Sequence, residues 1–132
     1  MISTSLKETD IFAKELLSKN PHIIGLYGDL GSGKTALTKA IAKNMGVPEE
    51  ITSPTFVIAK FYKGTEKRLI HIDAYRLHNG GEIAQLGFLE WAKDPDILIV
   101  VEWPENIKEV MPEHTRVECR FVNETEREYT LR

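Results

Sequence analysis

Hydrophobic and polar positions along the chain change period several times, and each change predicts an element. Over residues 7–18 (KETDIFAKELLS), Ile11, Phe12 and Leu16 fall on one stripe at helical spacing, and Asn20-Pro21 closes the segment. Residues 23–27 (IIGLY) are a short apolar run leading into glycines, the pattern of a buried strand. A second helical pattern covers residues 34–45, with Leu37, Ile41 and Met45 on one face and Ala40 between them, and Gly46-Val47-Pro48 stops it. Two β-rich runs, 55–62 and 68–73, flank Lys63-Gly64-Thr65-Glu66-Lys67 and predict a hairpin. Residues 82–93 read as a short helical region, and 97–103 (ILIVVEW) is the most hydrophobic strand of the chain. Two further strands, 115–122 and 127–131, are separated by Asn123-Glu124-Thr125. Strand–helix–strand order early and hairpins later predict an α/β sandwich with a mixed sheet.

Length and composition narrow the class. A chain of 132 residues is expected to be one domain, residues 1–132, long enough to hold a core without covalent staples. Hydrophobic residues at 42% and charged residues at 28% argue against disorder. The single cysteine, Cys119, excludes an intrachain disulfide framework and fits a reducing cytosol. The aliphatic run Ile97–Val101 falls far short of the ~20 residues that span a bilayer, and no signal-like segment opens the chain. A soluble cytoplasmic protein with no membrane partner is the expectation. Net charge is −3, with twelve acids and twelve bases in residues 1–101 and eight acids against five bases in 102–132. No basic block suggests a nucleic-acid face. The acidic tail reads as solvated surface, or as a surface for a basic partner.

The strongest chemical signal is Gly28-Asp29-Leu30-Gly31-Ser32-Gly33-Lys34-Thr35, which matches G-x-x-x-x-G-K-[ST] at every fixed position. It lies between a predicted strand and a predicted helix, as that motif requires. The glycines Gly28, Gly31 and Gly33 let the backbone N–H groups wrap phosphates, and the helix adds its positive end. Lys34 is expected to reach the β- and γ-phosphates, and Thr35 to coordinate Mg²⁺. Gly28, Asp29, Leu30, Gly31, Ser32, Gly33, Lys34 and Thr35 are thus the candidate nucleotide contacts. The N-K-x-D motif of guanine readers does not occur, which favours ATP. Only Arg76 lies between the strands at 68–73 and 97–103, so an arginine-rich kinase lid is poorly supported.

Three more clusters carry chemistry. Thr52-Ser53-Pro54-Thr55-Phe56 is a hydroxyl-rich loop whose extended geometry at Ser53 is imposed by Pro54. It reads as a switch segment with Thr55 as a nucleotide contact, or as a plain turn. In His71-Ile72-Asp73-Ala74-Tyr75-Arg76-Leu77, Asp73 ends a strand and reads as a turn cap, or as a group that orients attacking water or holds Mg²⁺ through water. His71 reads as a hydrogen-bonded structural histidine, Tyr75 as packing, and Arg76 as a transition-state charge or a loop salt bridge. In Ile99-Val100-Val101-Glu102-Trp103-Pro104, Glu102 follows an apolar strand as a Walker-B acid does, and a carboxylate there needs a cationic partner. Glu102 is therefore assigned to the metal beside Thr35, and Asp73 to water. Trp103 packs over the phosphates or into the core.

Together, in this order and spacing, the four clusters resemble the TsaE family over almost the whole chain. Ala74 stands where many members have a larger aliphatic residue, and the C-terminal strands carry little signature. The resemblance implies a P-loop NTPase-like three-layer α/β sandwich with a mixed, partly antiparallel sheet. It implies an ATPase, weak alone and partner-stimulated, that uses ATP and Mg²⁺ with Lys34, Asp73 and Glu102 as catalytic residues. It also implies action on the TsaB–TsaD heterodimer in making threonylcarbamoyladenosine beside the tRNA anticodon, with tRNA met only through that complex. Thr9 and the start of the first helix would line the adenine. The alternatives are a small-metabolite kinase on the same fold and a non-catalytic nucleotide-sensing module.

Overall fold

The computed structural model describes residues 1–29, 31–52 and 58–132. Its elements are β1 (Ile2–Ser3), α1 (Leu6–Ser18), β2 (Ile23–Tyr27), α2 (Lys34–Asn44), β3 (Ala59–Lys63) and β4 (Arg68–Asp73). They continue with α3 (Gly81–Leu86), α4 (Phe88–Lys93), β5 (Ile97–Glu102), a 3₁₀ turn over Pro104–Ile107, β6 (Thr115–Phe121) and β7 (Arg127–Leu131). The seven strands of the described residues form one sheet in the order β1-β7-β6-β2-β5-β4-β3. The four inner strands β6, β2, β5 and β4 are parallel, and β3, β7 and β1 add antiparallel edges.

Strand alternation divides the core into two. Every residue of β5 is buried, as expected of a strand flanked by parallel neighbours and covered on both faces. Leu98 and Val100 turn to one face with Ile24, Leu26 and Leu69, where Phe12, Ala13 and Leu16 of α1 and Leu37 and Ile41 of α2 cover them. Ile97, Ile99 and Val101 turn to the other with Ile23, Ile70 and Ile72, beneath Ile83, Phe88 and Ile107. Helix, sheet and short helices make the three layers expected from the sequence. No described helix is long and apolar enough to cross a membrane.

Local signals explain the element ends. Ser5 caps α1 by accepting from the Glu8 N–H at 3.2 Å, while Glu8 Oε1 accepts from the Thr4 N–H at 3.2 Å, a variant of the reciprocal capping box. The buried stripe of α1 is Thr9, Phe12, Ala13 and Leu16, so the expected place of Ile11 on it is corrected. At 100° per residue Ile11 lies beside that stripe, and it is exposed. The expected helical region 82–93 is two helices, broken at Gly87 in the left-handed conformation (φ 115°). The hairpin of β3 and β4 forms as expected, with residues 55–57 of its first run outside the described residues. Strand β1 had no signal in the pattern. The terminal amine of Met1 donates to the Tyr129 carbonyl at 2.7 Å, and the Tyr129 N–H donates to Met1 O at 2.8 Å.

Helices α1 and α2 are tied by Asn44 Nδ2, which donates to Asp10 Oδ1 at 2.7 Å. That bond, more than the nearby Lys43 and Lys14 charges, holds the Asp10 carboxyl below its ordinary value. A carboxyl with a depressed folded-state pKa stabilises the fold above its unfolded value and loses that contribution as the pH falls through the folded one. Asp10→Ala is expected to lower stability at pH 7 by about 0.5–1.5 kcal/mol, the net value of one such hydrogen bond. Urea unfolding at pH 7 and at decreasing pH below 4 checks this: the gap between wild type and variant should shrink as the medium becomes acidic.

Candidate functional site

Parallel strands β2, β4 and β5 end at the same edge of the sheet, the edge where ligands bind in open α/β folds. From β2 the chain enters the glycine-rich loop and then α2. Gly33 is the N-cap of α2 in a left-handed conformation (φ 99°), and no side chain caps the helix. Among the described residues, the N-cap position therefore offers the first-turn N–H groups no side-chain acceptor. The loop is wedged against the C-terminal hairpin. A Cβ on Gly28 (φ 145°) would collide with the Cys119 carbonyl oxygen, and one on Gly33 would stand 2.6 Å from Tyr129 Oη. Tyr129 Oη donates to the Gly33 carbonyl at 3.1 Å.

Lys34 opens α2 and is only 5% exposed. Its ammonium donates to the carbonyl oxygens of Gly28 and Asp29, the latter at 3.1 Å, and lies 3.8 Å from the centroid of the Trp103 ring. Burial lowers its pKa, and the charge of Glu102 opposes that shift. Trp103 takes a left-handed backbone (φ 61°) directly after β5, a conformation costly for a bulky residue, and its ring packs against Tyr75 at 5.1 Å.

The two acids stand side by side. Asp73 and Glu102 are register partners at the ends of β4 and β5. Glu102 is buried, with Oε2 2.6 Å from His71 Nε2. Asp73 Oδ1 accepts from the Tyr75 N–H at 3.0 Å. Burial pushes the Asp73 carboxyl up, and the Tyr75 N–H partly offsets it.

A cleft of about 300 Å³ brings Gly31, Ser32, Gly33, Lys34, Thr35, Asp73, Glu102 and Trp103 together, with Tyr75 and Arg127 on its wall. Its donors suit an anion. Ser32 Oγ is buried with no hydrogen-bond partner among the described residues, the N-terminus of α2 is uncapped, and two cationic side chains face the same space.

Other sequence candidates lie elsewhere. Gly28 and Asp29 face a neighbouring depression against β6 and β7. Thr9 is buried outside the cleft, its Oγ1 2.6 Å from Ser3 Oγ. Leu30 and Thr55 lie outside the described residues, as does most of the 52–56 segment. Arg76 is exposed. His71 is hydrogen-bonded, as expected, and Tyr75 packs but also lines the cleft. Arg127 and Tyr129 went unnoticed in the sequence. Their common parity in β7 was the available signal, since it puts a cation and a buried aromatic on one strand face.

Sheet order, loop and cleft define a P-loop NTPase-like α/β protein. The model of the family described as threonylcarbamoyl adenosine biosynthesis protein TsaE matches residues 3–130, and the chain belongs to the TsaE family. It is 35% identical over 128 residues to the tRNA threonylcarbamoyladenosine biosynthesis protein TsaE of Bacillus subtilis (strain 168), covering 95% of this chain and 79% of that one. Identity to the protein of the same name from Treponema pallidum (strain Nichols) is 34% over 110 residues, covering 83% and 80%. The crystal structure of Bacillus subtilis YdiB superposes with a TM-score of 0.77 at 31% identity, over 99% of this chain and 82% of that one.

Gly28→Ala tests the wedge between loop and hairpin. The methyl group meets a strand carbonyl that has little room to retreat, and φ is unsuited to alanine. A loss of about 1–3 kcal/mol is expected in chemical denaturation.

Proposed function

We propose that this chain binds and hydrolyses ATP as the energy-coupling subunit of threonylcarbamoyladenosine formation on tRNA. Membership of the TsaE family supports the pathway. The observation that carries the chemistry is the convergence of Lys34, Thr35, Asp73 and Glu102 on one cleft at the uncapped N-terminus of α2. Thr35 and Glu102 suit Mg²⁺, a hard cation that takes one or two protein oxygens and completes its shell with phosphate and water. Bound there, Mg²⁺ would neutralise phosphate charge.

The remaining work belongs to the chain's own groups. The N–H groups of the loop and of α2 bind phosphate oxygens, and Lys34 exchanges the Gly28 and Asp29 carbonyls for them. Arg127 supplies a second positive charge at the cleft wall. Asp73 orients the attacking water from the strand end, and the Tyr75–Trp103 pair narrows the opening to solvent. Action on the TsaB–TsaD heterodimer in the cytoplasm completes the reading, with tRNA bound by that complex, which accords with a chain of net charge −3. Phosphate release from ATP, measured with and without TsaB–TsaD, tests it. Stimulation is expected, and the absence of any turnover in both conditions would refute it.

Lys34→Ala should weaken nucleotide binding by about 1.5–3 kcal/mol, the contribution of a charged hydrogen bond. Thermal melts check this, because the fold should persist while the ATP-induced rise in Tm shrinks.

The two acids should separate by their metal dependence. Glu102→Gln is expected to weaken Mg²⁺-dependent nucleotide binding, since an amide is a poor partner for this cation. Asp73→Asn should bind nucleotide and Mg²⁺ nearly normally and lose hydrolysis even at saturating Mg²⁺. Magnesium titrations of binding and turnover compare them. Rescue of Asp73→Asn, but not of Glu102→Gln, by added Mg²⁺ would exchange the two roles.

A further inference from the structure

One polar pair on the α2 face of the sheet is closed off from solvent. His71 lies opposite Val100 and Asp73 opposite Glu102 on the parallel pair β4 and β5, so strand alternation turns His71, Asp73 and Glu102 to the same side. His71 is 0% exposed and Glu102 4%. Imidazole Nε2 stands 2.6 Å from Glu102 Oε2, and because a carboxylate can only accept, the proton is on Nε2. The other ring nitrogen, Nδ1, is buried with no hydrogen-bond partner among the described residues. Glu102 is thus the only polar anchor of the ring among those residues, and the ring holds one of the two carboxylate oxygens. Packing alone does not account for this arrangement, since an aliphatic side chain would fill the space without stranding a polar atom.

Resting on the reading of Glu102 as a metal partner, we propose that His71 is a positioning residue. It ties down Oε2 and leaves the second oxygen of Glu102 for the divalent cation in the cleft. The competing attraction is close by, because the Lys34 ammonium lines the same cleft and interacts electrostatically with Glu102. Without the imidazole, the carboxylate is free to rotate toward Lys34 and away from the orientation the cation requires, while Lys34 keeps its loop carbonyls. Groups that hold a metal-binding side chain in place commonly change metal affinity by about 10–100-fold when lost.

The test compares His71→Asn, whose amide is too short to reach Glu102, with His71→Gln, whose amide nitrogen can replace Nε2. Affinity for a fluorescent ADP analogue is measured on the full chain in EDTA and in Mg²⁺, and the ratio gives the metal-dependent gain. His71→Asn is expected to reduce that gain by about tenfold or more and leave the affinity in EDTA unchanged, with His71→Gln restoring most of it. An unchanged gain in His71→Asn, equal losses with and without metal, or a His71→Gln variant as impaired as His71→Asn would each overturn the proposal. Should His71→Asn fail to fold, His71→Leu, which fills the volume without a donor, gives the same comparison. Glu102→Gln, measured alongside, separates the two levels of the argument. If it loses the gain while the His71 variants keep theirs, the role of His71 alone is overturned. If it keeps the gain, the metal reading of Glu102 falls and this proposal with it.

Discussion

Two opposite charges, Lys34 and Glu102, are buried at the carboxyl edge of a parallel sheet, and much of the surrounding structure compensates for that burial. Removing an ion from water costs several kcal/mol unless good geometry and further hydrogen bonds replace its hydration. Lys34 receives two loop carbonyls, the face of Trp103 and the field of Glu102. Glu102 Oε2 has His71 Nε2 as its hydrogen-bond partner at 2.6 Å. Each substitute comes from a different element, so the charges can be buried only when loop, α2, β4 and β5 are all in place.

The two hydrophobic clusters explain why the edge is rigid enough for this. Strand β5 lies between β2 and β4 and is packed on both faces, one against α1 and α2 and the other against α3, α4 and the 3₁₀ turn. Its last residue, Glu102, cannot move along the sheet without breaking register with Asp73 on one side and Leu26 on the other. Beyond that residue the chain turns sharply through the left-handed Trp103, so the strained position falls at the cleft rather than in the core.

The C-terminal hairpin has a second part in the design. Strands β6 and β7 lie on the far side of β2 from β5, and they support the glycine loop from behind: Cys119 closes against Gly28, and Tyr129 bonds Gly33 while stacking on Phe12 at 5.4 Å. The Cys119 thiol, pushed up to about 12 chiefly by burial, belongs to this packing and has the character of a small apolar side chain. Through Tyr129 the loop, α1 and the N-terminal strand share one support, because Met1 pairs with the Tyr129 backbone.

What the sequence determined unaided is local. The turns at Gly28, Gly31 and Gly33 could be read because each takes a positive φ that backbone sterics reserve largely for glycine. The β3–β4 hairpin and helix α2 were legible for the same reason, since period and turn chemistry act between near neighbours. The polar residues at the ends of β4 and β5 could be read as candidate acids, but not as a register pair. Tertiary structure alone decided that the Thr9 hydroxyl, on the buried stripe of α1, finds its partner in Ser3. It also decided that Tyr129 meets Gly33 across 96 residues and that His71 meets Glu102 across 31. Such contacts depend on which strands become neighbours, and strand order follows from burying both faces of the sheet at once, a condition on the whole chain that no local period records.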